Sequence, residues 1–110
     1  MNDSPDITFI NLFGEYDLAR AVELERQLAE ARDSDIAFID LTNVTYIDSS
    51  SIASLVRLRK HMQENGRSAV IRLIAPQENV LKVLRITGLE QIFEVHEHDD
   101  EASRLAAERR

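Results

Sequence analysis

The sequence has no cysteine, no tryptophan and three glycines among its 110 residues. Without cysteine the chain can form neither a disulfide framework nor a thiolate metal site. It contains no Gly-x-Gly-x-x-Gly dinucleotide loop, no Walker phosphate loop and no Gly-x-Ser-x-Gly nucleophile elbow. We therefore expect a protein that is not an enzyme, with no catalytic residue and no cofactor of its own.

Long apolar runs are also missing. No apolar stretch approaches the ~18 residues that a membrane-spanning helix needs. The acidic N-terminus lacks the basic and apolar regions of a secretory signal. The sequence therefore predicts a cytoplasmic protein that makes no membrane contact.

Basic residues are outnumbered by acidic ones, and the net charge is −7. A nucleic-acid binder displaces counterions from phosphates with lysine and arginine, so this balance opposes binding to nucleic acid. A local basic patch remains open as an alternative, because five cations fall in one third of the chain: Arg57, Arg59, Lys60, Arg67 and Arg72.

Forty-four per cent of the residues are apolar, which is enough to build the core of one domain over residues 1–110. Short apolar runs alternate with segments whose apolar residues recur at helical spacing. This alternation predicts an α/β domain with a mostly parallel mixed sheet of about four strands and about four helices. Strands are predicted at 7–13, 36–41, 69–75 and 92–96. The second strand is followed by a break at 42–43 and a short apolar return at 44–47. Helices are predicted at 18–32, 49–64, 80–86 and 99–110.

The segment Asp48-Ser49-Ser50-Ser51 lies between a predicted strand end and a helix start. Ligands collect at the carboxyl ends of strands in open α/β sheets, and a helix N-terminus favours a phosphate. Serine and aspartate are also preferred helix caps, so local chemistry alone favours a capping role here. Asp17 is predicted to cap the helix that follows it, 18–32, in the same way.

Several motifs with matching spacing resemble the STAS domain family, typified by bacterial anti-sigma factor antagonists. The segment 39–52 (IDLTNVTYIDSSSI) is similar to the core motif, in which an apolar strand ends in Asp-Leu and a short return ends in Asp-Ser-Ser-Gly before a helix. Agreement extends to GEYD at 14–17, ITGL at 86–89 and Phe93. The resemblance covers residues 7–95.

This resemblance implies a function and a set of site residues. The phosphoserine of the antagonists directly follows the motif aspartate Asp48, which corresponds to Ser49. The partner-binding residues would be Asp17, Asp48, Ser49 and Ser50. The partner would be an anti-sigma factor serine kinase that carries its own ATP, and the chain would be monomeric when free. Its unphosphorylated form would bind the anti-sigma factor and release a sigma factor.

An alternative is a structural or sensory STAS subunit of a stress-signalling or transport complex, in which the serine is not cycled. Two departures from the family pattern bear on the choice. Ser51 stands where the family usually has glycine, and a helical wheel places Ser51 on the core side with Leu55, Leu58 and Met62. About a dozen residues precede Gly14, so the first strand of the family is expected to be missing or very short, leaving a sheet edge exposed.

The histidines offer a second kind of site. His96 and His98 are separated by one residue at the end of a predicted strand and could point the same way toward a metal. No third ligand is identifiable in the sequence, so the run is interpreted as a solvated face without a metal. His61 falls on the polar side of its helix and receives the same interpretation.

Overall fold

The computed structural model describes residues 4–64 and 68–97, in which strands and helices alternate. The strands are β1 (Ile7–Tyr16), β2 (Ile36–Ile47), β3 (Val70–Ile74) and β4 (Glu94–His96). The α-helices are α1 (Ala21–Leu28), α2 (Ser49–Gln63) and α3 (Glu78–Ile86). Short 3-10 turns at Leu18–Arg20 and Ala29–Ala31 flank α1, and another spans Leu89–Gln91.

The four strands form one sheet in the order β1-β2-β3-β4, and each adjacent pair is parallel. The predicted α/β class and the four-stranded sheet are therefore confirmed, although no antiparallel strand occurs in the two described ranges. The predicted fourth helix, 99–110, lies outside them. Strand β1 pairs with β2 on one side and forms an edge of this sheet. Within the described ranges, no helix is both long enough and apolar enough to cross a bilayer.

All three helices pack against one face of the sheet. Alternate side chains of β1, β2 and β3 point toward them, because successive residues of a strand face opposite sides. This main core also includes residues from each helix, among them Leu24, Leu55 and Leu84. The sheet residues of the core are Ile10, Leu12, Tyr16, Ala37, Ile39, Leu41, Val44, Ile47, Ile71 and Leu73.

The opposite face of the sheet carries a smaller apolar cluster around Phe38, which is 1% exposed. The ring of Phe9 stacks on Phe38 with centroids 4.8 Å apart, and the guanidinium of Arg72 lies 5.5 Å from the Phe38 centroid. These contacts explain why β2 begins with four consecutive buried residues, from Ile36 to Ile39. The continuous apolar run at 36–39 is typical of a strand buried on both faces, and the structure shows one here.

The predicted break at Thr42-Asn43 is wrong, because β2 continues through it to Ile47. The register between β1 and β2 shifts twice, and each time β2 contains one extra residue. Asp40 supports the first shift, since its Oδ1 accepts hydrogen bonds from the Thr42 amide at 2.9 Å and the Thr42 hydroxyl at 2.5 Å. A β-bulge absorbs the extra residue and preserves the strand.

Candidate functional site

The carboxyl ends of β1 and β2 bring two predicted site segments together. Tyr16 and Ile47 are partners in the parallel register, so Asp17 and Asp48 follow neighbouring strand ends. The Tyr16 carbonyl accepts a hydrogen bond from the Asp48 amide at 3.2 Å. We call the rim formed by Asp17, Asp48, Ser49 and Ser50 the serine rim.

The end of β1 before Asp17 is irregular at Gly14 and is held by Arg20. Gly14 adopts a φ of 79°, which is a left-handed conformation that glycine tolerates, and the register with β2 shifts after it. Arg20 Nη1 donates to the carbonyls of Phe13 at 2.7 Å and Glu15 at 2.9 Å. Its guanidinium also lies 4.1 Å from the centroid of the buried Tyr16 ring. These contacts fix the chain that leads into the rim.

Asp48 caps helix α2, as one interpretation of the sequence proposed. Its Oδ1 accepts from the Ser50 hydroxyl at 2.6 Å, the Ser51 amide at 3.0 Å and the Ser51 hydroxyl at 3.2 Å. The Ser50 hydroxyl, followed by the Ser51 amide, holds the pKa of the Asp48 carboxyl below its usual value, because hydrogen bonds to a carboxylate favour its charged form. The rim therefore carries a fixed negative charge at neutral pH.

The three serines of the motif have different environments. Ser51 is 1% exposed, and its hydroxyl donates to the Tyr16 carbonyl at 2.8 Å, so the wheel correctly placed it on the core side. Ser50 is half-buried and its hydroxyl is bound to Asp48. Ser49 is exposed, and its hydroxyl has no hydrogen-bond partner among residues 4–64 and 68–97. Ser49 is thus the serine whose hydroxyl a second protein can reach.

The prediction that the Asp17 side chain caps the following helix is wrong. Asp17 occupies the position before the 3-10 turn Leu18–Arg20, but its side chain makes no capping hydrogen bond. Its Oδ1 is shielded from solvent and accepts no hydrogen bond in the described part of the chain. Asp17 therefore follows β1 at the rim without capping the turn after it.

Two apolar side chains beside the rim do not reach the core. Leu18 and Val22 share the helical spacing of the apolar residues in 18–32, which favours burial, but they are 75% and 71% exposed. The stripe that reaches the core is formed by Leu24, Leu28 and Ala31, all at most 2% exposed. Leu18 directly follows Asp17, so this apolar surface adjoins the serine rim.

Two of the five cations predicted as a local basic patch form ion pairs in separate places. Arg57 pairs with Glu25 between the helices, whereas Arg72 is 7% exposed and pairs with Glu94 on the opposite face of the sheet. Arg67 lies outside the described residues. His96 is 9% exposed, so its predicted solvated position is wrong. His98 lies outside the described residues, and those described contain no group of three metal-ligating side chains.

Comparison with known proteins agrees with this geometry. The family model for the STAS domain matches residues 1–102. A STAS-domain-containing protein of Pseudomonas aeruginosa is 40% identical over 57 residues, which are 52% of this chain. That match spans about half of the Pseudomonas protein, 54% of its length. An anti-sigma-B factor antagonist of Staphylococcus epidermidis is 28% identical over 94 residues, covering 84% of this chain and 85% of that protein.

Solved structures share the fold at lower sequence identity. An anti-sigma factor antagonist from Mycobacterium paratuberculosis superposes with a TM-score of 0.77 at 20% identity, covering 96% of this chain and 87% of that chain. The STAS domain of a SulP transporter from Vibrio cholerae gives a TM-score of 0.69 at 19% identity, covering 93% and 81%. The same fold therefore occurs in antagonists and in a transporter domain.

Proposed function

The chain belongs to the STAS domain family, and from that premise we propose that it is an anti-sigma factor antagonist switched by phosphorylation of Ser49. In this proposal the unphosphorylated chain binds an anti-sigma factor serine kinase in the cytoplasm and so releases a sigma factor. The chain is a substrate and a ligand, is monomeric when free, and is not an enzyme. The likeness to the Staphylococcus antagonist over 84% of the chain supports this choice within the family.

The observation that carries the proposal is the accessibility of one serine out of three. The hydroxyl of Ser51 is buried and bound to the Tyr16 carbonyl. The hydroxyl of Ser50 is bound to Asp48 at 2.6 Å. Ser49, at the first residue of α2, is exposed and presents its hydroxyl to solvent. A kinase can reach Ser49 without unfolding the helix, and this supports Ser49 as the acceptor.

The transfer would use ATP bound by the partner. The Ser49 Oγ attacks the γ-phosphorus and forms an O–P bond while the bond to the β–γ bridging oxygen breaks. ADP leaves, and the hydroxyl proton passes to a base of the kinase or to water. Positioning and charge stabilisation come from the kinase, as in other phosphoryl transfers. The chain contributes an exposed nucleophile held on the end of a rigid helix.

The phosphate would weaken partner binding through charge. It adds about −1.5 to −2 charges at neutral pH. The rim already carries Asp48, whose lowered pKa keeps it ionised, and Asp17 on the neighbouring strand end. The positive end of the α2 dipole tolerates the added charge, so the domain stays folded. A partner surface docked against this rim must instead desolvate the phosphate, which raises the free energy of the complex.

The surface next to the rim supports a docking role. Leu18 and Val22 expose apolar side chains without an obvious structural need. Leu18 directly follows Asp17 of the serine rim. A contact that buries Leu18 and Val22 would therefore place the partner beside the rim that carries Ser49.

The test combines phosphorylation with binding. The purified chain is incubated with ATP and the kinase encoded nearby, and intact mass and phosphopeptide mapping locate the modification. We expect one phosphate on Ser49, none on Ser49→Ala, and normal modification of Ser50→Ala. Phosphorylation or Ser49→Asp should weaken kinase binding ~5- to 150-fold, corresponding to a coupling of ~1–3 kcal/mol. Modification of Ser50 or Ser51, or undiminished binding by the phosphorylated chain, would contradict the proposal.

A second function has support from the transporter domain with the same fold. The chain would then be a structural or sensory subunit of a stress-signalling or transport complex, and its serine would not be cycled. The same experiment separates the two functions. No change in mass with the kinase, together with recovery of the chain in a membrane or multiprotein complex, would favour the subunit role.

A further inference from the structure

A cleft of about 320 Å³ lies between α1 and α2, at the end of these helices remote from Ser49. His61, which lines it, is twelve residues beyond Ser49, or about 18 Å along the helix axis. None of the residues of the serine rim lines the cleft. We call this space the α1–α2 cleft, and its chemistry is independent of the proposed switch.

The shape of the cleft follows from the spacing of three residues. Arg26, Ala29 and Arg32 line it and recur every third position at the end of α1 and the following turn. The small Ala29 side chain leaves a gap between two long ones. The apolar lining comes from Leu28 and Leu58, which are 2% and 3% exposed. The cleft thus has a mixed lining, in which Leu28, Ala29 and Leu58 form the apolar floor and Arg26 and Arg32 flank Ala29 along the chain.

The charge at the opening is positive, although the chain as a whole carries −7. In the described part of the chain neither Arg26 nor Arg32 forms an ion pair, although Arg26, after Arg20, helps to hold the pKa of Glu23 below its usual value. Among the described residues, the acid that lines the cleft is Glu25, and it is already bound by Arg57 and by the Ser54 hydroxyl. These bonds hold the pKa of Glu25 below its usual value. Its charge is therefore compensated within the α1–α2 contact.

His61 completes the opening from the α2 side and lies 3.6 Å from Glu64. Two guanidinium groups over an apolar floor match an anion attached to a hydrocarbon body, because carboxylates pair with guanidinium forks. The volume is near the lower bound of sites that take small molecules and is too confined for a folded partner.

We propose that the α1–α2 cleft binds a small amphipathic carboxylate, with its carboxylate between Arg26 and Arg32 and its hydrocarbon against Leu28, Ala29 and Leu58. The ligand stabilises the contact between α1 and α2 from the end opposite Ser49. This is a second site on the domain, and it requires neither a kinase nor a phosphate.

The first test compares three probes on the full unmodified chain by NMR titration. Octanoate carries both features, octanol carries only the hydrocarbon, and acetate carries only the carboxylate. Octanoate should shift the methyl signals of Leu28, Ala29 and Leu58. It should bind about fivefold or more tighter than octanol, because octanol lacks the ion pairs with the arginines. It should also bind tighter than acetate, because acetate lacks the hydrocarbon that the cleft buries. Equal binding of octanol, absence of saturable octanoate binding, or shifts confined to Phe9 and Phe13 would overturn the proposal.

The second test uses matched variants. Arg26→Gln and Arg32→Gln should each weaken octanoate binding about fivefold, and Ala29→Leu should block it by filling the gap. Lys60→Gln is the control, because it removes the same charge as the arginine substitutions. Lys60 is exposed on α2 and does not line the cleft. An equal loss in Lys60→Gln would show nonspecific attraction and refute the site. Phosphorylation of Ser49 in Arg26→Gln should be unchanged, which separates failure of this site from failure of the switch.

Discussion

At the scale of single residues, three identical side chains in a row acquire three roles from their position on one helix turn. Ser49 points to solvent, Ser50 binds the capping carboxylate, and Ser51 turns into the core. The Ser51 hydroxyl can be buried only because the Tyr16 carbonyl and Asp48 accept from it. A serine in place of the family glycine thus adds a link between β1 and α2.

We expect Ser51→Ala to lower the free energy of unfolding by about 1 kcal/mol, since it removes a buried hydrogen bond. Ser51→Leu should cost more, because overpacking a core position typically costs about 1–3 kcal/mol. Ser49→Ala is the control and should change stability little. Urea unfolding of the three variants measures these differences. Identical midpoints for Ser51→Ala and the unmodified chain would show that the link contributes nothing.

A second expectation at this scale concerns pH. The hydrogen bonds from Ser50 and Ser51 depress the folded-state pKa of Asp48. A depressed carboxyl pKa contributes stability that is present above the unfolded-state pKa of about 3.9 and is lost as pH falls through the folded-state pKa. Asp48→Asn should therefore be less stable than the unmodified chain at neutral pH, and this difference should shrink below about pH 4.

NMR titration of the Asp48 carboxyl provides the direct measurement. Ser50→Ala removes the largest contribution to the shift and should raise the Asp48 pKa toward its usual value. Ser49→Ala removes a neighbouring hydroxyl that makes no bond to Asp48 and should leave that pKa unchanged. A rise of similar size in both variants would contradict the geometry of the cap.

At the scale of elements, the segment from Leu18 to Ala31 shows how one apolar pattern can serve two surfaces. Leu24, Leu28 and Ala31 lie on one stripe, whereas Leu18 and Val22 lie roughly a third of a turn away. The first stripe contacts the main core, and the second faces solvent beside the serine rim. The 3-10 turns at both ends separate the helix from the strands that it connects.

Two truncations in α1 test this division. Leu24→Ala should lower the free energy of unfolding by ~2–5 kcal/mol, because Leu24 is 1% exposed and its removal leaves a cavity. Val22→Ala should alter stability by less than ~0.5 kcal/mol, since Val22 is 71% exposed. Thermal and urea unfolding give both values. If Val22→Ala proved as destabilising as Leu24→Ala, the exposed stripe would have to be packed in solution.

At the scale of the whole molecule, the two faces of the sheet are covered differently. The helical face has a core formed by residues of all three α-helices and of β1, β2 and β3. The opposite face relies on side chains of the sheet itself, in particular Phe9 stacked on Phe38 and Arg72 near the same ring. Phe9 therefore has a structural function even though it is 50% exposed.

This difference predicts unequal effects for two exposed phenylalanines of β1. Phe9→Ala should lower the free energy of unfolding by ~1–2 kcal/mol, since it removes an aromatic contact and uncovers Phe38. Phe13→Ala, at a position that is 56% exposed, should have a smaller effect. Urea unfolding monitored by far-UV circular dichroism compares them. Equal losses would show that the stacking contact adds nothing to the burial of Phe38.

The sequence by itself determined the order of the elements and the inward direction of Ser51. Both depend on local periodicity, because a helix and a strand expose different repeats of apolar residues. The cap at Asp48 was also readable, since a capping side chain bonds to backbone within its own turn. The assignment of Ser49 as the modified residue stays a prediction, supported by its exposure.

Tertiary structure decided what depends on distant residues. The continuity of β2 through Thr42 required pairing with β1, which tolerates two extra residues as bulges. The exposure of Leu18 depended on the 3-10 turn Leu18–Arg20, which contributes no buried residue to the core. The α1–α2 cleft exists because Ala29, in the turn after α1, and Leu58 of α2 come to line one space although they are distant in sequence. Such features arise from the relative placement of elements, and local periodicity carries no information about that placement.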